Sequence, residues 1–185
     1  MGRDKALMPF LGRPLIQQVL ERLTPLADEV LLVTGRPADY HFLGLEAYPD
    51  LIPGRGPLGG LFTALSMASQ PLVALVGCDM PFANLDIFRY ACTRLQSSSD
   101  AAIPTTGKGL EPLHAVYRRE SCLPLVQQAL EAGEMKLIAW LGQARVEILT
   151  PQQVAGFDPR QLAFYNLNTP EEFRQAEELA GAGSG

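Results

Sequence analysis

The chain has 185 residues, a length that suits one globular domain. Apolar residues make up 47% of the sequence and charged residues 19%, and the formal net charge is −5. This acidic balance argues against a protein that coats nucleic acid, because that role needs a basic surface. No apolar run approaches the roughly 20 residues of a membrane-spanning helix, and Arg13 and Pro14 interrupt any signal-peptide core. We therefore expect a cytoplasmic protein that binds neither nucleic acid nor membrane.

The three cysteines, Cys78, Cys92 and Cys122, form no CxxC pair, so the sequence indicates neither a disulfide framework nor a zinc site. Such cysteines are typical of a reducing compartment. No repeat or long linker divides the chain. We expect a single domain over residues 1–180 and a disordered tail over 181–185, where the sequence is GAGSG.

The first half of the chain alternates helical and strand patterns. Apolar residues at helical spacing predict a helix over 14–26. The apolar runs at 28–34 and 71–82 predict strands buried on both faces, because neither run alternates with polar residues. A glycine-rich segment, PGRGPLGG at 53–60, leads into a predicted helix over 58–68.

The second half continues this alternation. Helical patterns lie at 84–96, 120–134 and 135–143, and strand patterns at 100–105, 113–119 and 145–150. The segment 164–180 predicts a brief strand, a turn and a final helix, which a capping box between Thr169 and Glu172 would start. Alternating strands and helices predict the α/β class with a mostly parallel central sheet.

Asp79 is the first candidate for chemistry, since it follows directly after the apolar run LVALV. Ligands of open α/β sheets bind beyond the carboxyl ends of the strands. A carboxylate there could hold Mg²⁺, which takes one or two carboxylates together with phosphate oxygens and water. The alternative interpretation is an aspartate that caps the following turn.

Two other segments could contact an anionic ligand. Lys5 and Arg3 could neutralise phosphate charge, although a solvated leading segment would have the same composition. Gly56 stands in the glycine-rich segment, where amides at a helix start suit an anion, but a tight loop–helix junction would also need glycine. Asp50, just before this segment, could accept hydrogen bonds from a sugar or base, or could be exposed.

Asn166 and Asn168 project the same way from an extended segment, so they could hydrogen-bond a ligand or serve in a cap or turn. His114 lies within a predicted strand and is interpreted as a core residue rather than a base. Cys78 is interpreted as a small buried side chain rather than a nucleophile. No Ser/His/Asp or Cys/His arrangement is present.

Five segments, taken together and in this order, resemble molybdenum cofactor guanylyltransferases: MGRDKALMPFLGRPLI, GPLGGLFTAL, VGCDMPF, EPLHAVYRR and NLNTPEEF. The resemblance spans nearly the whole chain and implies a three-layer, Rossmann-like nucleotidyltransferase fold. It also implies an enzyme that uses Mg²⁺ and joins GTP to molybdopterin carrying molybdenum. The products would be molybdopterin guanine dinucleotide and pyrophosphate. Molybdoenzymes or other cofactor-biosynthesis proteins would be transient partners.

The resemblance assigns roles to individual residues. Lys5 matches a lysine that contacts the nucleotide phosphates, and Asp79 matches an aspartate that binds Mg²⁺ and GTP. Asp50 matches an aspartate near the nucleotide. Asn166 and Asn168 match an asparagine motif that faces the pterin substrate. Arg3 and Gly56 are added from residue chemistry rather than from the resemblance: Arg3 would stabilise the triphosphate with Lys5, and Gly56 would belong to the anion-binding segment.

The chain departs from the family pattern in two places. Family members have a strand and a LAGGxSxR-type loop directly before MGxDK, and they often carry asparagine near Thr34–Gly35. We expect that Met1 is an internal methionine and that the natural protein extends upstream by about 10 residues, the length of one strand and one loop. Without that strand, which lies in the middle of the family's sheet, we expect little or no activity.

Three alternatives remain open at the level of sequence. A cytidylyltransferase acting on the same pterin shares most of these motifs. A sugar-phosphate nucleotidyltransferase fits less well, because the chain is short. The third alternative is a noncatalytic paralogue that binds the pterin cofactor or a partner enzyme.

Overall fold

A computed structural model describes residues 4–95 and 98–181. The α-helices are α1 Leu15–Leu23, α2 Gly56–Met67, α3 Leu85–Arg94, α4 Arg119–Glu131, α5 Pro151–Ala155 and α6 Pro170–Gly181. The strands are β1 Pro9–Phe10, β2 Arg13–Pro14, β3 Leu31–Val33, β4 Glu46–Tyr48, β5 Leu72–Val76, β6 Ala101–Thr106, β7 Gly109–Leu110, β8 His114–Arg118 and β9 Val146–Leu149. Short 3₁₀ helices cover Lys5–Leu7, Thr24–Leu26, Pro37–Leu43 and Leu141–Gln143. Within the two described ranges, no helix combines the length and the apolar character needed to cross a membrane.

The main sheet has the order β5–β8–β6–β9, and β7 folds back on β6 as a short hairpin. β6 and β9 are parallel, whereas β8 is antiparallel to both β5 and β6. β3 and β4 form a separate parallel pair. The α/β class is confirmed. β5, β6 and β9 run in one direction, and β8 runs against its two neighbours.

Side chains that alternate along the central strands divide the core into two layers. Ala101, Ile103 and Tyr117 pack in the cluster that contains the buried faces of α2 and α4. Ala102 and Val116 point the other way and pack with α3 and α5. Helices therefore cover both faces of the sheet, which gives the three layers that the family resemblance implies.

β3 and β5 are not buried on both faces, so this part of the prediction is wrong. In the described chain, β3 pairs only with β4 and β5 pairs only with β8. Every residue of both strands keeps some exposure, and Ala74 is exposed, whereas His114–Tyr117 of β8 are all buried. A groove of about 460 Å³ is lined by both strands and by α1, α2 and α3. We call it the β3–β5 groove, and its presence explains the partial exposure.

Most of the remaining predicted elements are confirmed, with small shifts at their ends. α1, α2, α3, α4 and α6 match predicted helices, and β6, β8 and β9 match predicted strands. Asn84 caps α3 as expected, because its side chain accepts hydrogen bonds from two amides of the first turn. Of the expected tail, Gly181 belongs to α6, and residues 182–185 lie outside the described residues.

The segment 135–143 does not form the predicted α-helix. Its backbone makes successive three-residue turns, with 3₁₀ geometry only at Leu141–Gln143. Leu137 and Trp140 are buried, whereas Met135 and Ile138 are exposed. The tighter turns place Leu137 and Trp140, which are three residues apart, on the side that faces the core.

Two further differences concern the last quarter of the chain. The structure contains α5, which the sequence analysis missed although Thr150 and Gln153 form a complete capping box. The brief strand expected before α6 is not formed, because the backbone there has other partners. The Leu167 amide donates to the Asp79 carbonyl, and the Thr169 amide donates to Glu172.

His114 lies fully buried in β8, in agreement with its interpretation as a core residue. Its ring stacks on Phe88 at 4.0 Å between ring centroids, and Nε2 accepts the Asn84 amide at 3.0 Å. Burial lowers the pKa of His114 from 6.5 to about 4, because a charged imidazolium would lose its hydration. The neutral ring therefore holds Asn84, which in turn starts α3.

This histidine gives the fold a defined pH dependence. Between pH 6.5 and pH 4 the unfolded chain takes up a proton that the folded chain does not, so the free energy of unfolding falls as the pH decreases. From pH 7.5 to 5.0 we expect this residue to remove about 2 kcal/mol. Urea unfolding should show that the free energy of unfolding depends less steeply on pH in His114→Gln than in the wild type. Glutamine keeps an acceptor for the Asn84 amide. His41→Gln, at an exposed position, is the control. Equal slopes for wild type and His114→Gln would contradict the assignment.

Candidate functional site

Asp79 lies in a tight turn that begins where β5 ends. The Gly77 amide donates to the Leu113 carbonyl at 3.0 Å, and the Met80 amide closes the turn on the Gly77 carbonyl at 3.2 Å. The Asp79 carbonyl accepts the Leu167 amide at 2.9 Å. This backbone bond attaches the Asn166–Asn168 segment to the end of β5, as the strand-end rule for α/β sheets leads one to expect.

Lys5 reaches the same place from the opposite end of the chain. Its Nζ lies 3.9 Å from the Asp79 Oδ2 and donates a hydrogen bond to the Asn168 Oδ1 at 2.7 Å. The structure therefore brings together three residues that the sequence analysis selected separately. Lys5 and Asp79 both stay accessible, with 35% and 23% of their side chains exposed.

The electrostatics at Asp79 favour a cation. Burial raises the pKa of Asp79, and the nearby charge of Glu172 raises it further, whereas a backbone hydrogen bond and Lys5 act in the opposite direction. A carboxylate that has lost part of its hydration, and whose cationic neighbour is beyond direct hydrogen-bond distance, gains from an added positive charge. Asp79 is suited to that role.

A resident metal centre made only of protein ligands is not found in the described residues, where no group of three or more His, Cys, Asp or Glu side chains is arranged around a common point. Mg²⁺ does not need such a group when it binds with a phosphate ligand, because one or two carboxylates then suffice. The donor set at Asp79 fits a Mg²⁺ ion that arrives with a nucleotide.

The other predicted site residues are placed less directly. Gly56 opens α2 with φ +54°, and Arg55 before it provides no side-chain cap, so the first amides of α2 have no cap within the described chain. Asp50 follows β4, and no contact joins it to Lys5 or Asp79 within the described ranges. Asn166 keeps a buried Oδ1 without a partner in this part of the chain. Arg3 lies outside the described residues.

Comparison with known proteins decides the family. Residues 1–146 match the family described as MobA-like NTP transferase domain. The chain belongs to this family. It is 33% identical over 176 residues to the molybdenum cofactor guanylyltransferase of Syntrophotalea carbinolica, covering 95% of this chain and 83% of that protein. It is 30% identical over 182 residues to that of Desulfosudis oleivorans, covering 98% and 90%.

Solved structures agree with this assignment to the MobA-like family. The molybdopterin-guanine dinucleotide biosynthesis protein A from Archaeoglobus fulgidus superposes with a TM-score of 0.84 at 26% identity, covering 98% of this chain and 92% of that chain. The 2-C-methyl-D-erythritol 4-phosphate cytidylyltransferase from Thermus thermophilus gives a TM-score of 0.69 at 20% identity, covering 96% and 94%. At that identity the second likeness concerns the fold alone. The resemblance drawn from the motifs is therefore confirmed.

Asp4 is a residue of this MobA-like chain that the sequence analysis missed. Its Oδ1 accepts the Ala6 amide, which starts the turn that carries Lys5. Its Oδ2 accepts the Tyr40 hydroxyl at 2.8 Å and the Arg36 guanidinium at 3.1 Å. Burial and the Asp4 carboxylate raise the pKa of Tyr40, so the hydroxyl stays a donor. The local cap is visible in the sequence, but the two distant partners are not.

Gly77 is the second missed residue, and it explains the orientation of the Asp79 side chain. A Cβ atom at position 77 would lie 2.8 Å from the Asp79 Oδ1 and 3.2 Å from the Met80 side chain. The first distance is shorter than real Cβ contacts and the second is tight, so the carboxylate would have to shift if a larger residue stood at position 77.

Gly77→Ala should therefore displace the Asp79 carboxylate and weaken Mg²⁺-dependent nucleotide binding at least tenfold, measured by calorimetry. Gly35→Ala is the matched control, because a Cβ atom at position 35 meets nothing within 4 Å. The prediction is contradicted if Gly77→Ala unfolds at the same urea concentration as the wild type and binds the nucleotide with Mg²⁺ equally well. The close approach of Gly77 to the Asp79 carboxylate would then not orient that side chain.

Proposed function

We propose that this chain transfers GMP from GTP to the phosphate of molybdopterin carrying molybdenum, which gives molybdopterin guanine dinucleotide and pyrophosphate. The observation that carries this proposal is the convergence of the Lys5 ammonium, the Asp79 carboxylate and the Asn168 amide at the end of β5. The substrates are those that the names of the related guanylyltransferases indicate. The chemistry of the three groups supports a reaction on a nucleotide phosphate.

The reaction needs no protein nucleophile. An oxygen of the acceptor phosphate forms a bond to the α-phosphorus of GTP, and the bond from the α-phosphorus to the bridging oxygen of the β-phosphate breaks. Pyrophosphate leaves with the electron pair of that bond. Catalysis of such a step depends on alignment of the reactants and on stabilisation of negative charge. The site offers a cation and a carboxylate suited to a metal ion, and no hydrolase triad was found in the sequence.

Lys5 would neutralise the triphosphate. Asn168 would fix the position of the Lys5 ammonium through the 2.7 Å hydrogen bond. Asp79 would hold Mg²⁺, which when bound supplies positive charge to the phosphates and the leaving pyrophosphate. Because Lys5 and Asp79 are 3.9 Å apart, the pair can open to admit phosphate oxygens without breaking a direct hydrogen bond.

The remaining roles follow from position. The first amides of α2, beginning at Gly56, would face an anionic group, and Arg3 would add a second cation. Asp50 would contact the sugar or base of the nucleotide. Asn166 would offer to the pterin substrate its buried Oδ1, which has no partner among residues 4–95 and 98–181. Molybdoenzymes are the partners that would receive the product, and the reaction would take place in the cytoplasm.

A pyrophosphate-release assay with the full chain, Mg²⁺ and molybdenum-bearing molybdopterin tests the proposal. GTP should support product formation and CTP should not. Equal turnover with both nucleotides would contradict the choice of guanine, and faster turnover with CTP would favour a cytidylyltransferase. Mg²⁺-dependent GTP binding without turnover, also after an upstream strand is added, would indicate a noncatalytic binding protein.

Asp79→Asn keeps the shape of the side chain but removes the charge, so Mg²⁺-dependent GTP binding should weaken at least tenfold in calorimetry. The control is Asp86→Asn, since Asp86 is exposed and pairs with Arg89 on the surface of α3. Burial raises the pKa of Asp79, so on acidification this carboxylate is protonated at a higher pH than an exposed aspartate. Mg²⁺-dependent GTP binding by the wild type should be lost at that higher pH. A wild-type isotherm for Asp79→Asn would exclude Asp79 from metal binding.

A further inference from the structure

We infer that Glu111 recognises the pterin ring of the acceptor substrate, by accepting hydrogen bonds from the ring N–H and the adjacent amino group of its 2-amino-4-oxopyrimidine half. The inference rests on the proposed function and deepens it, because it names a residue that selects the acceptor. Glu111 lies in EPLHAVYRR, the one segment of the resemblance to which the proposed function assigns no residue.

Glu111 lies on the side of the candidate site opposite to Lys5. β8 pairs with one edge of β5, and the β3–β5 groove lies along the other edge. Asp4 joins the turn that carries Lys5 to the segment beyond β3. Leu113, two residues after Glu111, instead accepts the Gly77 amide from the side of β8. In an in-line transfer the acceptor oxygen enters opposite the leaving pyrophosphate, so a triphosphate bound at Lys5 leaves the β8 and β6 side to the acceptor.

The backbone and one carboxylate oxygen of Glu111 are held in place. The Glu111 amide donates to the Pro104 carbonyl at 2.8 Å, and its carbonyl accepts the His114 amide at 3.0 Å. The Thr106 hydroxyl donates to Oε1 at 2.8 Å, and its oxygen accepts the Lys108 amide at 3.1 Å. Oε2 has no hydrogen-bond partner in the part of the chain that the structure describes. The half-buried side chain thus keeps one carboxylate oxygen available at the end of β6.

The Glu111 carboxylate lies on the face of the sheet that the asparagine segment crosses. Alternate residues of a strand share a face, so Thr106, which bonds to Glu111, lies on the same face of β6 as Ala102. Ala102 belongs to the cluster against which Phe164 packs, two residues before Asn166. The two groups that we assign to the pterin therefore come from one face of the sheet, although they are distant in sequence.

A fixed carboxylate matches one edge of a pterin. The ring N–H and the 2-amino group of that edge are two parallel donors, and the two oxygens of a carboxylate can accept both. Oε1 keeps a second lone pair beside the Thr106 bond. Burial raises the pKa of Glu111, although the Thr106 hydrogen bond and the Lys108 charge act in the opposite direction. The partly dehydrated carboxylate therefore gains from N–H donors that replace water.

The test uses the full chain and two fluorescent probes, 6-hydroxymethylpterin and 6-hydroxymethyllumazine, whose affinities are measured by fluorescence titration. The lumazine carries an oxygen where the pterin carries its 2-amino group. The wild type should bind the pterin about tenfold more tightly, because the carboxylate repels the lumazine oxygen. Glu111→Gln offers one acceptor and one donor, which match the ring N–H and the 2-oxo group of the lumazine. This variant should therefore prefer the lumazine.

Three control variants separate recognition from folding. Glu134→Gln, at an exposed position after α4, should keep the wild-type preference for the pterin. Thr106→Val removes the hydroxyl that holds Oε1 and should weaken pterin binding about fivefold, whereas Thr106→Ser keeps a hydroxyl and should restore it. All variants should unfold at the urea concentration of the wild type.

The guanine of GTP presents the same two donors as the pterin, so nucleotide binding is measured as well. Calorimetry with Mg²⁺ should give the same affinity for GTP in Glu111→Gln as in the wild type. Inosine triphosphate lacks the 2-amino group of GTP. A wild-type preference for GTP over inosine triphosphate that Glu111→Gln loses would assign Glu111 to guanine and would overturn the inference.

The inference is also overturned if Glu111→Gln keeps the wild-type preference for the pterin, or if the wild type binds the two probes equally or binds neither. Probe binding needs no turnover. A protein that shows the reversed preference in Glu111→Gln but forms no product in the pyrophosphate-release assay would contradict the proposed function alone.

Discussion

The site depends on one arrangement, in which a lysine and a partly buried aspartate face each other 3.9 Å apart without a direct hydrogen bond. Asn168 holds the ammonium at 2.7 Å, and the Asp79 carbonyl holds the adjoining Leu167 amide. Lys5 is therefore fixed by the same segment that is fixed to the Asp79 turn. A closed ion pair would have satisfied both charges, whereas this separation leaves both able to interact with a polyphosphate and its metal ion.

The surroundings of this pair show how the fold maintains it. Asp4 starts the turn that carries Lys5 and connects it to Tyr40 and Arg36 beyond β3. In β8, Nε2 of the neutral His114 ring accepts the hydrogen bond of the Asn84 amide and so fixes the beginning of α3. Both supports join segments that are distant in sequence, so the site is a product of the tertiary structure.

The sequence predicted those features that are encoded locally. The cap at Asn84, the capping box at Thr169 and the aspartate after β5 each follow from a few adjacent residues, and each is found. The partners of Asp4 and the close approach of Gly77 to Asp79 could not be predicted, because they depend on which segments meet in space. The exposure of β5 was mispredicted for a related reason. An apolar run shows that a strand suits a covered position, but not whether a neighbour is present to cover it.

The hydrogen bond between Lys5 and Asn168 has a consequence for how the protein is made. During synthesis Lys5 leaves the ribosome well before Asn168, so its ammonium has no amide partner until the segment that contains Asn168 has followed. The Leu11 amide likewise has its acceptor, Glu177 in α6, only after that helix has been made. Nascent chains released before these last residues could still bury much of the central core. They would lack the hydrogen bonds that join the Lys5 turn to Asn168 and Leu11 to α6, so the candidate site is ordered only after these segments have been made.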